Sequence, residues 1–567
     1  MTTTSPLLSV SGLNISFPAQ QFSAVSNVSF TLDKGKTLAI VGESGSGKSL
    51  IALSVMGLQP QAALVSGRFG FQQEGKNILL SGLSKKEWQS FRGNLFGMIF
   101  QEPMSALNPI QTVGKQILEN IVQHQTISKK EAVKRTLEWI AKVKLPDPEN
   151  IFKRYPHQLS GGQKQRIMIA MAMCNNPLIL VADEPTTALD ATVQKDIVAL
   201  MKQLQTETET AMIFITHDLA LAAEIADDVM VMNKGEIVEY GSAIDMLSNP
   251  TQNYTKALLS CRPSLDNKGK ELPVIADFID GNISMKSLPL LEIKNDEQDL
   301  LSLENVHIWY PEGKNIFGKT TRFYKAVNGV SFCIKKGQTI GLVGESGCGK
   351  STIGKSLVGL APIKEGRIIF EGKNIASLKG TQWNSVRKNM QLIFQDPFAS
   401  LNPRRTVGEI ITEPLQIHHL AQKTNLNKEA ERLLDLVRLP QQAVHRYPHQ
   451  FSGGQRQRIG IARALALNPE LLICDESVSA LDVSIQAQVL NLLKMLQYEL
   501  GLSYLFISHD LSVVHYMSDK IMVMQNGIIV ERGSANDILL NPQMDYTKKL
   551  IAAMPGSQSN LHLAGIL

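Results

Sequence analysis

One chain of 567 residues carries the same series of motifs twice, in the same order. GESGSGKS at 42–49 returns as GESGCGKS at 344–351, and MIFQEPMSALNP at 98–109 as LIFQDPFASLNP at 392–403. RYPHQLSGGQKQR at 154–166 returns as RYPHQFSGGQRQR at 446–458, and VADEPTTALD at 181–190 as ICDESVSALD at 473–482. FITHDL (214–219) pairs with FISHDL (506–511), and NYTKALL (253–259) with DYTKKLI (545–551). The offset is 302 at the first pair, 294 at the second and 292 thereafter, so the first copy is longer mainly between GKS and Gln101. A period near 300 is far too long for a solenoid, in which each repeat is a single supersecondary unit. The chain is read as two homologous domains in tandem, 1–262 and 300–567, joined by a linker at 263–299. The linker is acidic on balance and lacks sustained periodicity. It is expected to lie partly ordered along a domain surface.

Within each copy, short apolar strands (LAIV 38–41, LILVAD 178–183, MIFIT 212–216) alternate with helical stretches such as QRIMIAMAMCN (165–175). That alternation predicts an α/β fold with a largely parallel core sheet. Residues 110–153 and 404–445 lack strand signals and are expected to form helical lobes.

Composition narrows the class of protein. Five scattered cysteines without metal-ligand spacing fit a reducing compartment and exclude a zinc site or disulfide framework. The N-terminus has no signal-peptide pattern, and no run of about 18 apolar residues is present to span a membrane. A net charge of +5 over this length permits anionic partners without demanding them.

GESGSGKS follows a strand and precedes a helical run, the setting a phosphate-binding loop needs. Gly42, Gly45 and Gly47 allow a tight turn whose N–H groups, with those of Glu43, Ser44 and Ser46, face phosphate oxygens. The helix that follows adds its positive end. Lys48 is expected to reach the β- and γ-phosphates of ATP, and Ser49 to ligate Mg²⁺. Gly344, Glu345, Ser346, Gly347, Cys348, Gly349, Lys350, Ser351 and Thr352 repeat the set.

LILVADE ends in Asp183 and Glu184, and LLICDE in Asp475 and Glu476. Two carboxylates at a strand end can be a solvated corner. Beside a phosphate loop, the aspartate is expected to hold Mg²⁺ and the glutamate to act as general base on the attacking water. Gln101 and Gln395 follow strands and are expected to contact metal and water. His217 and His509 follow strands too. Each is expected to be neutral, with one ring nitrogen on the γ-phosphate and the other held by backbone. Phe17 and Tyr310 precede their loops and are candidates to stack on adenine, with a first-strand core role as the alternative.

Taken together, phosphate loop, Gln, LSGGQ, DE-ending strand, [ST]ALD and His resemble the ATP-binding cassette (ABC) ATPases. The resemblance spans nearly the whole chain outside the linker. It implies two RecA-like cores, each with an antiparallel β-subdomain and a helical lobe. It also implies that LSGGQ caps ATP held by the other domain. Lys48, Asp183 and Glu184 would then work with Ser452, Gly453, Gly454 and Gln455. Lys350, Asp475 and Glu476 would work with Ser160, Gly161, Gly162 and Gln163. Asp190 and Asp482 would cross the same interface. Lys164 and Arg166, behind the glycines, read as helix-surface or interface residues rather than phosphate ligands.

RYPHQ, the residues after each Gln and the YTK tails look like oligopeptide, dipeptide and nickel importer ATPases, with fused versions similar to those serving glutathione and other peptide importers. That resemblance implies two transmembrane permease subunits, an extracytoplasmic solute-binding protein, and a peripheral place on the cytoplasmic face of the membrane. Only Cys261 lies where some relatives bind iron–sulfur, so no cluster is expected. Leu50 replaces the hydroxyl found at Thr352, which weakens expected α-phosphate contact in the first site. Both sites keep Glu, His and signature serine, so both are expected to hydrolyse ATP. A soluble tandem ATPase acting on ribosomes or nucleic acid is the alternative, and the short acidic linker argues against nucleic acid. An exporter is disfavoured by the RYPHQ and YTK patterns. The cargo is not legible, because permeases and binding protein select it.

Overall fold

A computed structural model of the chain describes residues 5–554, apart from 74, 188, 265–266, 280–286, 289–298, 315–319, 421–425 and 480. The first half carries β1 (Leu8–Phe17), β2 (Phe22–Leu32), β3 (Thr37–Val41), β4 (Leu64–Gln73) and β5 (Lys76–Leu79). It continues with β6 (Phe96–Ile99), β7 (Ile179–Asp183), β8 (Ala211–Thr216), β9 (Asp228–Asn233) and β10 (Glu236–Ser242). The second half repeats them as β11 (Asp299–Lys314), β12 (Thr320–Lys335), β13 (Thr339–Val343), β14 (Glu365–Phe370) and β15 (Lys373–Asn374). There follow β16 (Met390–Ile393), β17 (Leu471–Asp475), β18 (Ser503–Ile507), β19 (Lys520–Gln525) and β20 (Ile528–Ser534).

Each half builds a core sheet of six strands in the same order, β10-β9-β3-β8-β7-β6 and β20-β19-β13-β18-β17-β16. All neighbours are parallel except the antiparallel edge pair β9–β10, or β19–β20. β3, β7 and β8 are buried at every residue, which is why they read as unbroken apolar runs rather than alternating ones. A four-stranded antiparallel sheet, β2-β1-β4-β5 or β12-β11-β14-β15, packs beside each core. Its strands do alternate, since one face is solvated. The 110–153 lobe contains helices Val113–His124, Lys129–Lys142 and Pro148–Phe152. Its counterpart contains Val407–Ile417 and Leu426–Leu436, then a short 3₁₀ segment.

The linker is more than a tether. Leu272, Ile275 and Phe278 are buried in one apolar cluster that also holds Val41 and Leu219 of the first half and Leu490 and Tyr516 of the second. Asn491 grips Leu272 by both backbone groups: Leu272 N–H donates to Asn491 Oδ1 (2.9 Å) and Asn491 Nδ2 donates to the Leu272 carbonyl (2.7 Å). The Tyr516 hydroxyl donates to the Lys270 carbonyl at 2.9 Å. The missing periodicity has a physical cause: Ile275 and Phe278 lie on a single short helix, Ile275–Ile279, too brief to show a sustained pattern, and the rest of the strap relies on borrowed hydrogen-bond partners.

Candidate nucleotide sites

The core sheet converts sequence order into site order. Along β3-β8-β7-β6 the C-terminal strand ends carry, side by side, the phosphate loop, His217, Asp183–Glu184 and Gln101. Four segments scattered from 42 to 217 thus meet at one edge, the place where open parallel sheets present ligand-binding loops.

The loop is shaped by packing as well as by glycine content. Gly47 sits at φ 97°, and a Cβ there would lie 2.8 Å from the Ala24 carbonyl of β2. Helix Lys48–Val55 starts at once, so its unpaired N–H groups face the loop. Lys48 Nζ donates to the carbonyls of Gly42 and Glu43, both at 2.8 Å, and Lys350 Nζ to those of Gly344 (2.7 Å) and Glu345 (2.9 Å). Burial lowers the Lys48 pKa, opposed by the charges of Glu184, Asp482, Asp183 and Glu43.

Ser49 Oγ donates to Asp183 Oδ1 at 3.0 Å, and Ser351 Oγ to Asp475 Oδ1 at 2.7 Å. Burial pushes the Asp183 carboxyl up to about 6, with Glu184 adding to it and the Ser49 hydroxyl and Lys48 opposing. A half-buried hydroxyl bonded to a buried carboxylate at the head of a helix is an oxygen donor set suited to a hard divalent cation, whose charge would favour the ionised aspartate.

Glu184 stands in the left-handed region at φ 45°, and Glu476 at 46°. Left-handed backbone is uncommon in residues with a side chain and clusters at functional sites. Gln101 Nε2 donates to Glu184 Oε2 (3.1 Å) and Gln395 Nε2 to Glu476 Oε2 (2.7 Å). Burial would raise the Glu184 carboxyl, but His217, the Thr187 hydroxyl and Lys48 hold it down at about 2. Here the histidine departs from expectation. Its Nδ1 lies 3.7 Å from Glu184 Oε2, and His509 Nδ1 lies 3.6 Å from Glu476 Oε2, rather than on a backbone carbonyl. Burial lowers the pKa of each ring, and the neighbouring glutamate more than offsets that, so the net shift is upward. The ring nitrogen expected on a backbone carbonyl is instead turned toward the glutamate at the end of the next strand.

Ser160 and Ser452 are exposed and each caps its signature helix, Gly161–Met173 or Gly453–Leu465, accepting from the N–H of Gln163 or Gln455. Those glutamines return the contact to the serine N–H at 3.1 Å, closing a capping box. A Cβ on Gly162 would lie 2.6 Å from Val193 Cγ1, and one on Gly454 2.1 Å from Ile485 Cγ2. The second glycine of each signature is thus demanded by the helix running from Asp190 or Asp482. Arg166 donates to the Val143 carbonyl (3.0 Å) and lies 3.7 Å from Asp196, joining signature helix, lobe and next helix.

The two halves meet head to tail. Asp482 of the second half accepts from the Ser44 N–H (3.1 Å) and the Ser44 hydroxyl (3.0 Å) of the first phosphate loop. Reciprocally, Asp190 accepts from the Ser346 N–H at 3.2 Å. Each signature helix packs on the helix that begins at its own aspartate, the residue that reaches the phosphate loop of the other half.

Phe17 and Tyr310 are half-buried, and each is paired across its ladder with an exposed aromatic, Phe22 and Tyr324. The Tyr324 hydroxyl donates to the Gly347 carbonyl at 3.2 Å. Two further contacts escaped the sequence reading. The Tyr254 hydroxyl accepts from the Glu43 N–H (3.3 Å) and that of Tyr546 from the Glu345 N–H (3.0 Å), bracing each loop from behind. The repeated YTK tail was the signal, but nothing local joined it to a loop about 200 residues earlier.

The family profile described as ABC transporter matches residues 25–187 and again 327–479. The chain belongs to the ABC transporter family. It is an ATP-binding ATPase with two fused ABC cassettes. A second profile, Oligopeptide/dipeptide transporter, C-terminal region, matches 238–278 and 530–566, behind each cassette. The glutathione import ATP-binding protein GsiA of Salmonella typhimurium (strain LT2) is 47% identical over 98% of this chain and 90% of its own length. GsiA of Escherichia coli (strain K12) is 45% identical over 99% of this chain and 94% of its own. Among solved structures, the dimeric ATP-binding cassette MJ0796 bound to ADP and Pi aligns at 27% identity, covering 41% of this ABC chain and 98% of its own, with a TM-score of 0.38.

Proposed function

We propose that this ABC ATPase is the energy-coupling subunit of an importer for glutathione or related small peptides. The observation that carries it is the reciprocal pair Asp482–Ser44 and Asp190–Ser346, which lets one chain assemble both composite ATP sites. The tails matching the oligopeptide/dipeptide region and the names of the GsiA relatives supply the substrate class and favour the importer over a ribosome- or nucleic-acid-bound ATPase.

In this reading, cassettes 1–262 and 300–567 flank the 263–299 strap. The backbone N–H groups of 42–49 and 344–351 bind the phosphates, with Lys48 and Lys350 turning from their own loop carbonyls onto the γ-phosphate. Thr352 adds a hydroxyl that Leu50 cannot. Ser49, Gln101 and Asp183 hold Mg²⁺ in one site, and Ser351, Gln395 and Asp475 in the other. When bound, that ion offsets the phosphate charge. Glu184 and Glu476 accept a proton from the attacking water, while His217 and His509 donate toward the γ-phosphate. Ser452, Gly453, Gly454 and Gln455 cap the first site, and Ser160, Gly161, Gly162 and Gln163 the second. Phe17 and Tyr310 stack on adenine.

Closure around ATP and reopening after hydrolysis is a shift between two states that the γ-phosphate distinguishes. The partners are two permease subunits and a solute-binding protein, with the chain peripheral on the cytoplasmic side of the membrane. No helix among the described residues is long and apolar enough to cross a membrane. The test is ATP-dependent uptake by proteoliposomes containing this chain, the permease subunits that co-purify with it and their binding protein. Glutathione or short-peptide uptake is expected, and its absence in vesicles whose ATPase is active sinks the proposal.

A further inference from the structure

The repeat breaks at one charged position. NYTKALLSCRP in the first tail aligns with DYTKKLIAAMP in the second, which sets Arg262 against Met554. Arg262 Nη1 donates to Asp218 Oδ2 at 2.9 Å, and its side chain is 19% exposed. Asp218 follows His217 directly. Its other oxygen, Oδ1, accepts from the N–H groups of Ala220 and Leu221 and so caps the next helix. The carboxylate behind the histidine is therefore fixed on two sides, by its own helix and by the guanidinium.

In the second cassette, Asp510 follows His509 and caps its helix in the same way, through Oδ1 to Ser512 N–H (2.9 Å) and Val513 N–H (3.4 Å). The repeat position that would supply its arginine is Met554. Yet Arg262, Asp218, Asp510, His217, His509 and Met554 all line one cavity of about 110 Å³ between the cassettes. Burial disfavours the charge of Arg262, and the carboxylates of Asp218, Asp510 and Glu224 more than offset that. One guanidinium at the interface thus faces the post-histidine carboxylates of both cassettes. An uncompensated pair of carboxylates converging there would repel as the cassettes close, and a fork-shaped cation that cannot deprotonate removes that cost.

We propose that Arg262 is a positioning residue for ATP hydrolysis, a shared counter-ion that holds the His217 loop directly and the His509 loop by charge, and so couples the two sites. The inference rests on the ATPase activity and is independent of the transported solute.

The test uses the purified full-length chain and steady-state phosphate release. Arg262→Met installs the residue the second copy already tolerates. It is expected to lower kcat about ten-fold, the loss of one charge-assisted hydrogen bond, with ATP KM within about two-fold and the Hill coefficient falling toward 1. Arg262→Lys, which keeps the charge but not the fork, is expected to recover part of kcat and most of the cooperativity. Asp510→Asn is expected to lower kcat in the native background and to add little on top of Arg262→Met, because both remove the same charge–charge interaction. The proposal is overturned if Arg262→Met leaves kcat and Hill coefficient unchanged, if the loss merely follows a fall in melting temperature, or if Asp510→Asn adds fully to Arg262→Met. Should Arg262→Met not fold, the cycle is run with Arg262→Gln, which also removes the charge, and Asp510→Asn, and full additivity there overturns the proposal.

Discussion

Asp190 and Asp482 occupy the same repeat position and divide their oxygens differently. Asp190 spends Oδ1 on the Val193 N–H, capping its own helix, and reaches the opposite cassette with Oδ2 alone. Asp482 makes no such cap and commits both oxygens to Ser44. The catalytic-glutamate candidates differ in parallel. Thr187 Oγ1 donates to the Glu184 carboxylate at 2.8 Å, whereas the corresponding Ser479 Oγ donates to the Glu476 backbone carbonyl at 2.9 Å. The first phosphate loop is thus held more firmly from across the interface, and its glutamate carries one more donor. A duplicated sequence has been folded into two sites that share every motif and differ in how the motifs are wired.

The strongest challenge to this comparison is substitution of the glutamates. Glu184→Gln and Glu476→Gln are each expected to cut ATP turnover roughly 100-fold, measured by phosphate release, since each removes a general base. If one abolished turnover and the other left it unchanged, only one site would be hydrolytic. Next comes Ser160→Arg, which puts a bulky cation at the exposed cap facing the Lys350 site. Turnover at that site is expected to fall by roughly 10-fold or more, through loss of the signature's cap on the γ-phosphate. Nucleotide photolabelling of the Lys48 site should be unchanged; loss of labelling there would mean that each signature serves its own cassette.

The aspartates sharpen the contrast directly. Asp482→Ala is expected to lower turnover about 10-fold by freeing Ser44. Asp190→Ala is expected to lower it about 3-fold, and to cost about 1 kcal/mol in thermal unfolding from the lost helix cap. Equal effects on both measurements would erase the asymmetry. The smallest effect belongs to the hydroxyls. Thr187→Ala should reduce turnover by about 3-fold, from one lost hydrogen bond to a carboxylate, while Ser479→Ala changes it by less than about 2-fold.

Much of this architecture was legible because it is local. GESGSGKS lies in one strand–turn–helix, and Asp183–Glu184 ends one apolar strand, so spacing and residue type announce their chemistry. The helical lobes were visible as stretches without strand signals. The histidine's partner was not, because Glu184 and His217 lie on neighbouring strands joined by a long crossover. Tyr254, Arg262 and Asn491 were illegible as site or strap residues for the same reason. Each acts on a group about 40 to 220 residues away, and nothing in its own neighbourhood marks it out.

The duplication, the α/β alternation and the two sets of phosphate-gripping, carboxylate and signature residues are properties of the amino-acid sequence alone. They follow from strand and helix periodicity and from the chemistry of short contiguous motifs. The wiring between them belongs to the tertiary structure. Asp482 on Ser44, the linker gripped by Asn491 and Arg262 on Asp218 arise only when distant segments are brought within hydrogen-bonding range. Repeated motifs leave those distances open. The packing of one cassette against the other sets them, and it need not be symmetric when residues at the contact, such as Arg262 and Met554, are not.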